Sequence, residues 1–426
     1  MKKASLLKQE IAHNQYYRQF TEIYLDTARA DAQKARYMQA IDTFISLYGD
    51  KEVAIFSTPG RSEVCGNHTD HQHGEVLATA INLDIIAVVA KHDHHIKIQS
   101  DDYDIQAIEL TDLAPKEAEK ETSEALIRGT LARFQELGLA IGGFEAYITS
   151  DVLQGSGLSS SAAFEVMIGT VLSGLYHEKP LDPVTIAKIG QYSENVYFGK
   201  PCGLMDQCAC SVGGLIHIDF KNTEAPVVEK VHVDFSEFKH SLCIVDVHAS
   251  HADLTDDYAS IPAEMKQVAS FFNEEVLREV DEDDFLSQLS DVREATSDRA
   301  VLRALHLFNE NKRVRQACAA LENQDFRAFK NTIRASGDSS FKYLQNVYSN
   351  QNINQQAVSL ALALSEVILG DHGVCRVHGG GFAGTIQAFV EDDYVKTYQQ
   401  EIEHYFGKGS CHILKIRQYG GIKVMD

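Results

Sequence analysis

Gln154-Gly155-Ser156-Gly157-Leu158-Ser159-Ser160-Ser161-Ala162-Ala163 runs directly into an apolar, helix-periodic segment that extends from Phe164 to Tyr176. A Gly/Ser loop that opens a helix presents backbone N–H groups and the positive end of the helix to an anion, with no bulky side chain to hold a phosphate away. The stretch therefore reads as a phosphate cradle. The competing reading is purely structural, because three serines can also serve as caps for the helix that follows. No G-x-x-x-x-G-K-[ST] occurs anywhere in the chain and the loop does not spell G-x-G-x-x-G, so a nucleotide seated here is held without a P-loop lysine.

Working outward, the strand-like Phe144-Glu145-Ala146-Tyr147-Ile148 delivers the chain to this loop. Upstream lie a charged helical stretch over 113–137 and the strand-like runs 53–56, 85–90 and 96–98. The first fifty residues are helical in pattern, with Phe20, Ile23, Tyr24 and Ala28 at three- and four-residue spacings. Downstream, the polar segment around Lys221-Asn222-Thr223-Glu224-Ala225-Pro226 marks the expected domain boundary. Beyond it come a strand over 241–247, an acidic helical region over 262–322 and alternating segments at 384–390 and 411–416. The order mixes α and β without a βαβα repeat, which predicts an α+β protein divided into 1–225 and 226–426.

At 426 residues and 44% hydrophobic content the chain suits a soluble protein of two or three domains. The N-terminus lacks a signal-peptide apolar core and no window approaches a membrane span, so a cytoplasmic protein is expected. A net charge of -22 disfavours nucleic acid and anionic membrane as partners, because both are polyanions. The eight cysteines are scattered and read as reduced thiols; Cys202, Cys208 and Cys210 cluster without the C-x-x-C pairs of a zinc ribbon. The oligomeric state is left open.

Four further places carry chemistry. In Pro59-Gly60-Arg61-Ser62-Glu63-Val64-Cys65-Gly66-Asn67-His68-Thr69-Asp70-His71-Gln72-His73-Gly74, short polar side chains on a turn-rich stretch suit a hydroxylated ligand: Asp70 accepts from vicinal hydroxyls, while Asn67 and His68 donate or accept. A metal on His68, His71 and His73 is the weaker reading, and His92, His94 and His95 read as a solvated turn. In the stretch from Tyr192 to Gln207, Glu194 and Asp206 can serve as a magnesium ligand and a base, or simply as surface acids. Gly379-Gly380-Gly381-Phe382-Ala383-Gly384 matches G-x-G-x-x-G, but the alternating Thr385-Ile386-Gln387-Ala388-Phe389-Val390 that follows is a strand pattern, which argues against a Rossmann turn. Finally, His248-Ala249-Ser250-His251 with Asp253 and Tyr258 reads as hydrogen-bonded histidines rather than a metal pair.

Taken together these motifs resemble the galactokinase family of the superfamily that also includes homoserine, mevalonate and phosphomevalonate kinases. The segment 59–74 resembles the sugar-binding motif, 155–163 the phosphate loop, 379–384 the third motif, and Pro201-Cys202-Gly203-Leu204-Met205-Asp206-Gln207 the catalytic-aspartate motif. The resemblance implies two α+β domains with the active site in the cleft between them, and ATP-dependent phosphorylation of the anomeric hydroxyl of galactose or a related sugar. It implies Asp206 as base, Arg61 beside it, and Gly155, Ser156, Gly157, Leu158, Ser159, Ser160 and Ser161 around ATP. Ser161 and Glu194 would hold Mg²⁺, and Asn67, His68, Asp70, Gly203 and Tyr258 the sugar.

The chain departs from the family pattern in places. Asn67 stands where the family usually has the glutamate that holds the sugar's C6 hydroxyl, Glu63 replaces an asparagine, His71 a tyrosine, and Ala383 and Thr385 a glycine and a cysteine. A different C6 substituent, even the carboxylate of galacturonate, becomes conceivable. A non-catalytic sugar sensor on the same fold is the reading from another class; Ser161, Glu194, Asp206 and Arg61 together favour the enzyme.

Overall fold

The structure, a computed structural model, describes residues 1–101, 104–152, 157–248, 254–351, 353–382 and 384–426. Its N-terminal fifty residues form three helices: α1 (Ala4–Ala12), α2 (Tyr17–Tyr24) and α3 (Thr27–Tyr48). The periodicity seen in the sequence crosses a break, since Leu25 turns left-handed at φ 59° and the Asp26 carboxylate accepts from the Arg29 N–H to start α3. Phe20, Ile23 and Tyr24 are buried on α2, whereas Ala28 lies exposed in the first turn of α3.

These helices cover one face of a nine-stranded sheet. Its strands are β1 (Lys2–Lys3), β2 (Glu52–Cys65), β3 (Glu75–His92), β4 (His95–Ser100), β5 (Asp104–Glu109), β6 (Gly143–Ser150), β7 (Leu215–Asp219), β8 (Val227–Lys230) and, from the end of the chain, β13 (Ile422–Met425). Pairing is antiparallel except between β4 and β6. Alternate residues serve opposite faces: Val53, Ile55, Ile86 and Val88 meet Tyr37, Ile41 and Phe44, while Ala54, Phe56, Ala87 and Val89 meet the helices of the other side. Burial on both faces is why 85–90 reads as an unbroken apolar run.

The second face is covered by α4 (Ser123–Glu136), α5 (Ser160–Tyr176), α6 (Pro183–Tyr192) and α7 (Met205–Val212). A four-stranded antiparallel sheet follows, in the order β10 (Gly373–Val377), β11 (Thr385–Glu391), β9 (His240–Asp246) and β12 (Cys411–Leu414). It packs with α12 (Phe326–Ser339) on one side and with α13 (Ala357–Leu369) and α14 (Val395–Phe406) on the other. Between lie α8 (Thr255–Phe271), α9 (Glu282–Ser287), α10 (Leu289–Ala295) and α11 (Asp298–Glu322), so the acidic stretch is a set of helices rather than one.

The expected division at 225/226 falls in the turn of the β7–β8 hairpin, whose two strands both belong to the first sheet. That sheet also recovers β13, which pairs with β2 from Ser57 to Ile55. The polar segment is thus a hairpin turn, and the N-terminal unit takes strands from both sides of the expected boundary.

Candidate active site

Arg61 is on β2 rather than on a loop, directly after a bulge between Pro59 and Arg61 that re-aims the strand. Gly60 lets the Gly/Ser loop approach: a Cβ there would lie 2.9 Å from the Leu158 carbonyl oxygen, and the Arg61 N–H donates to that oxygen at 3.1 Å. Asp206 occupies the first turn of α7, where the helix end favours an anion. The two meet as a fork: Arg61 Nε donates to Asp206 Oδ1 and Nη2 to Oδ2, both at 2.7 Å. Arg61 Nη1 donates to the Gly157 carbonyl, and the hydroxyl of Ser159, itself left-handed at φ 57°, donates to Asp206 Oδ2. Burial pushes the Asp206 carboxyl up, but Arg61 and Ser159 outweigh it and hold the group below the usual carboxylate range.

The pair forms part of the lining of a cavity of about 460 Å³ that is also bounded by Ser160, Ser161, Glu194, Gly203 and Gly379. Ser160 and Ser161 open α5, and both also line an adjoining groove of about 740 Å³ whose walls include Ile85, Ile105, Leu126, Ile148, Phe164 and Phe198. Glu194 sits in a wide π-type turn, Ser193–Phe198, that continues α6. Its Oε2 accepts from Gln207 Nε2 at 3.0 Å, and its Oε1 lies 3.6 Å from Lys200 Nζ. Gln207 Nε2 also donates to Glu165, whose carboxyl is pushed well up by burial and by the Glu194 charge.

The expected sugar residues divide. Asp70 and Gly203 face each other across the cavity wall, where a Cβ on Gly203 would lie 2.6 Å from Asp70 Oδ2. His68, left-handed at φ 59°, donates from Nε2 to the Gly380 carbonyl at 2.9 Å. Burial holds its pKa down at about 4, so the ring is neutral. Asn67 differs from its expected role, because its amide is consumed inside the protein. Nδ2 donates to the Gly379 carbonyl at 2.6 Å and to Glu63, while Oδ1 accepts from Asn346 Nδ2 at 2.7 Å and from Ser340. Two donors and two lone pairs are all used. The nearby charge is that of Glu63, which borders the cavity and pairs with the fully buried Arg376 at 3.0 Å. Tyr258 donates its hydroxyl to the Gly381 carbonyl, at 2.6 Å, and lines a neighbouring cavity that His68, Asp70 and Gly203 also border.

The third motif is therefore a tie between the two halves: its carbonyls receive Asn67, His68, Asn346 and Tyr258, and β11 starts directly after it, as the alternation predicts. Gly381, at φ 82°, has no room for a Cβ, which would lie 2.0 Å from the Asn346 carbonyl oxygen. Gly155, Ser156, Ser250, His251, Asp253 and Ala383 lie outside the described residues. Among the described residues the cysteines are free thiols, and His68, His71 and His73 form no three-donor metal set. The sequence reading missed Glu165, Gln207 and the apolar groove. Only Glu165 left a trace, as the one charged residue in an otherwise apolar helix, four positions after Ser161.

The GHMP kinases N terminal domain model matches residues 125–214, and the galactokinase galactose-binding signature matches 42–91. The Lactococcus lactis galactokinase complexed with galactose superposes with a TM-score of 0.75 over 90% of this chain and 98% of that one, at 23% identity. The Methanococcus jannaschii mevalonate kinase follows at 0.59 (86% and 98% covered, 15% identity), and the Streptococcus pneumoniae phosphomevalonate kinase at 0.58 (85% and 99%, 13%). Residues 125–214 thus carry the GHMP kinase N-terminal domain, and the chain has the GHMP-kinase fold. Within it the chain carries the galactokinase signature, and it is a sugar kinase. No helix among the described residues is long and apolar enough to cross a membrane.

Proposed function

We propose that the protein transfers the γ-phosphoryl group of ATP to the anomeric hydroxyl of galactose. The observation that carries this reading is the forked Arg61–Asp206 pair facing a cavity that also receives the start of α5. Asp206, kept ionised by Arg61, accepts the proton of the sugar hydroxyl as its oxygen bonds to the γ-phosphorus, and the bond from that phosphorus to the β,γ-bridging oxygen breaks to release ADP. Arg61 offsets charge that builds on the transferring group. Phosphoryl transfer asks the protein for position and charge, and the loop N–H groups with Ser160 and Ser161 supply the first.

The adjoining groove, with its flat apolar walls and two serines shared with the cavity, is the seat of the nucleotide base and ribose. The hydroxyl of Ser161 and the carboxylate of Glu194 are hard oxygen donors bordering the same space, which fits Mg²⁺, and they would hold it. When bound, the ion offsets the charge of the nucleotide phosphates.

For the sugar, Asp70 and His68 offer an acceptor and a fixed neutral ring. Because Asn67 is spent and the wall carries the Glu63 carboxylate, a neutral hexose suits the site better than a uronic acid, whose own carboxylate would face Glu63 and Asp70. The complete base, arginine and metal-ligand set favours catalysis over a sugar sensor. A panel of galactose, galacturonate, N-acetylgalactosamine, arabinose and glucose with Mg-ATP, followed by phosphorus NMR, tests the reading. A galactose 1-phosphate signal is expected; phosphorylation of galacturonate alone, or of no sugar, would overturn it.

A further inference from the structure

The turn from β3 to β4 lies at an end of the first sheet's strands and carries His92-Asp93-His94-His95. His92 closes β3, His95 opens β4, and β6 runs between those two strands in the sheet. The registers place His92 opposite Gly143 and Ala90 opposite Glu145 on β6, so His92 and Glu145 project from the same face. One donor atom each of His92, His95 and Glu145 lies within 4.8 Å of the other two. The two rings sit 3.8 Å apart at 30°, half-buried, where the sequence suggested a solvated turn.

An independent observation points into this cluster. His95 Nε2 is buried and has no hydrogen-bond partner, although a buried polar atom left unsatisfied is costly. His92 is oriented only by long contacts from the N–H groups of His94 and His95, at 3.3 and 3.4 Å, outside the usual hydrogen-bond range. The rings are thus placed but not committed. Glu145 is at present engaged by Lys51, whose side chain is 41% exposed and can withdraw into water.

We infer that His92, His95 and Glu145 form a binding site for a zinc-like divalent transition ion, which pins the β3–β4 turn to β6. Two imidazoles and one carboxylate are a donor set for zinc and its neighbours, whereas Mg²⁺ takes oxygen donors. The site is separate from the nucleotide and sugar cavities, since none of the three residues lines either. Its role is to fasten the sheet; the transfer reaction does not need it.

The test titrates zinc into the untagged, metal-stripped full-length protein by calorimetry, with Mg²⁺ in excess to occupy oxygen-donor sites. One zinc per chain is expected, together with a raised melting temperature. His92→Ala, His95→Ala and Glu145→Gln should each weaken binding at least about tenfold, the lower end of what even outer-shell partners of a metal contribute. His94→Ala, which alters the exposed histidine of the same turn, should retain zinc, as should Glu194→Ala. Lys51→Ala should tighten binding by freeing Glu145. Circular dichroism identifies any variant that fails to fold, and the remaining two ligand variants then decide. No zinc retained by the wild type, equal affinity in the ligand variants, or loss confined to Glu194→Ala would each overturn the site.

Discussion

Asp84 and Asp206 are both gripped by arginine, and their surroundings give them different duties. Asp84 on β3 accepts from Arg36 Nη1 at 2.7 Å, Arg417 Nη1 at 3.1 Å, Tyr24 Oη at 2.7 Å and the Ser57 hydroxyl. It is sealed: the side chains of Asp84 and Arg417 are 0% exposed. Asp206 has a comparable fork from Arg61, yet its side chain is 32% exposed onto the cavity. A buried carboxylate with both oxygens engaged from within holds elements together, here α2, α3, β3 and the C-terminal segment. An equally strong pair left open to a cavity has its charge fixed in advance and directed at whatever enters.

The comparison predicts opposite outcomes for the same substitution. Asp206→Asn should lower turnover by about 10²–10⁴-fold, the range of a general base, with a smaller loss of stability than the matching change at Asp84. Steady-state kinetics and denaturant unfolding check this together, and near-normal turnover would sink the assignment. Asp84→Asn leaves the buried Arg417 guanidinium without its anion and removes one of the two carboxylates, Asp84 and Asp151, that hold Arg36; it should cost about 3–5 kcal/mol of unfolding free energy, while the folded fraction keeps its turnover. Urea titration measures the loss; an unchanged midpoint would mean that the network is dispensable.

The Glu63–Asn67 contact sharpens the contrast, because it is a sealed network that forms part of a cavity wall. Asn67→Glu alone puts a second carboxylate against Glu63 and should lower the melting temperature. Adding Glu63→Asn should restore most of the loss and change the sugar ranking by about tenfold, the scale of one polar contact. If the double variant ranks sugars as the wild type does, the wall does not select the substrate.

The smallest effect is that of pH. Burial holds His68 at about 4 and His378 at about 3, and lowers His306 as well. An unfolded histidine titrates near 6.5, so between that pH and about 4 the unfolded chain binds more protons than the folded one. The contribution of these three rings is therefore complete above about pH 7 and falls as pH drops toward 4, against the opposite trend of Glu165, whose raised carboxyl takes up its proton first in the folded chain. Asp84 and Asp206, both held below the usual carboxylate range, add their loss only at lower pH still. Between pH 7 and 4 the unfolding midpoint of the wild type should fall relative to that of His68→Gln; identical pH profiles of the two would contradict the buried neutral ring at His68.

Much of this was legible in the residues. The Gly/Ser loop, the strand that feeds it, the helix it opens and the strand after 379–384 follow from local preferences, and Arg61, Asp206, Ser161 and Glu194 were singled out by the resemblance of their motifs to those of the galactokinase family. That Asn67 and Tyr258 bond to carbonyls of the third motif was not legible, because an amide or a phenol looks the same in a sequence whether it faces a ligand or a carbonyl from a distant segment. The apolar groove was hidden because its walls come from β3, β5, β6, α4 and α5, none of which is unusual alone.

By itself, then, the sequence determined the candidate phosphate loop, the alternation of helix and strand and the candidate base, because these depend on backbone freedom, periodicity and side-chain chemistry over a few neighbouring positions. Only the tertiary structure decided that Arg61 and Asp206 share one fork, that Asn67 is already satisfied and that the final strand returns to the first sheet. Each of those rests on long-range pairing, where burial and partners bring together groups that are far apart along the chain.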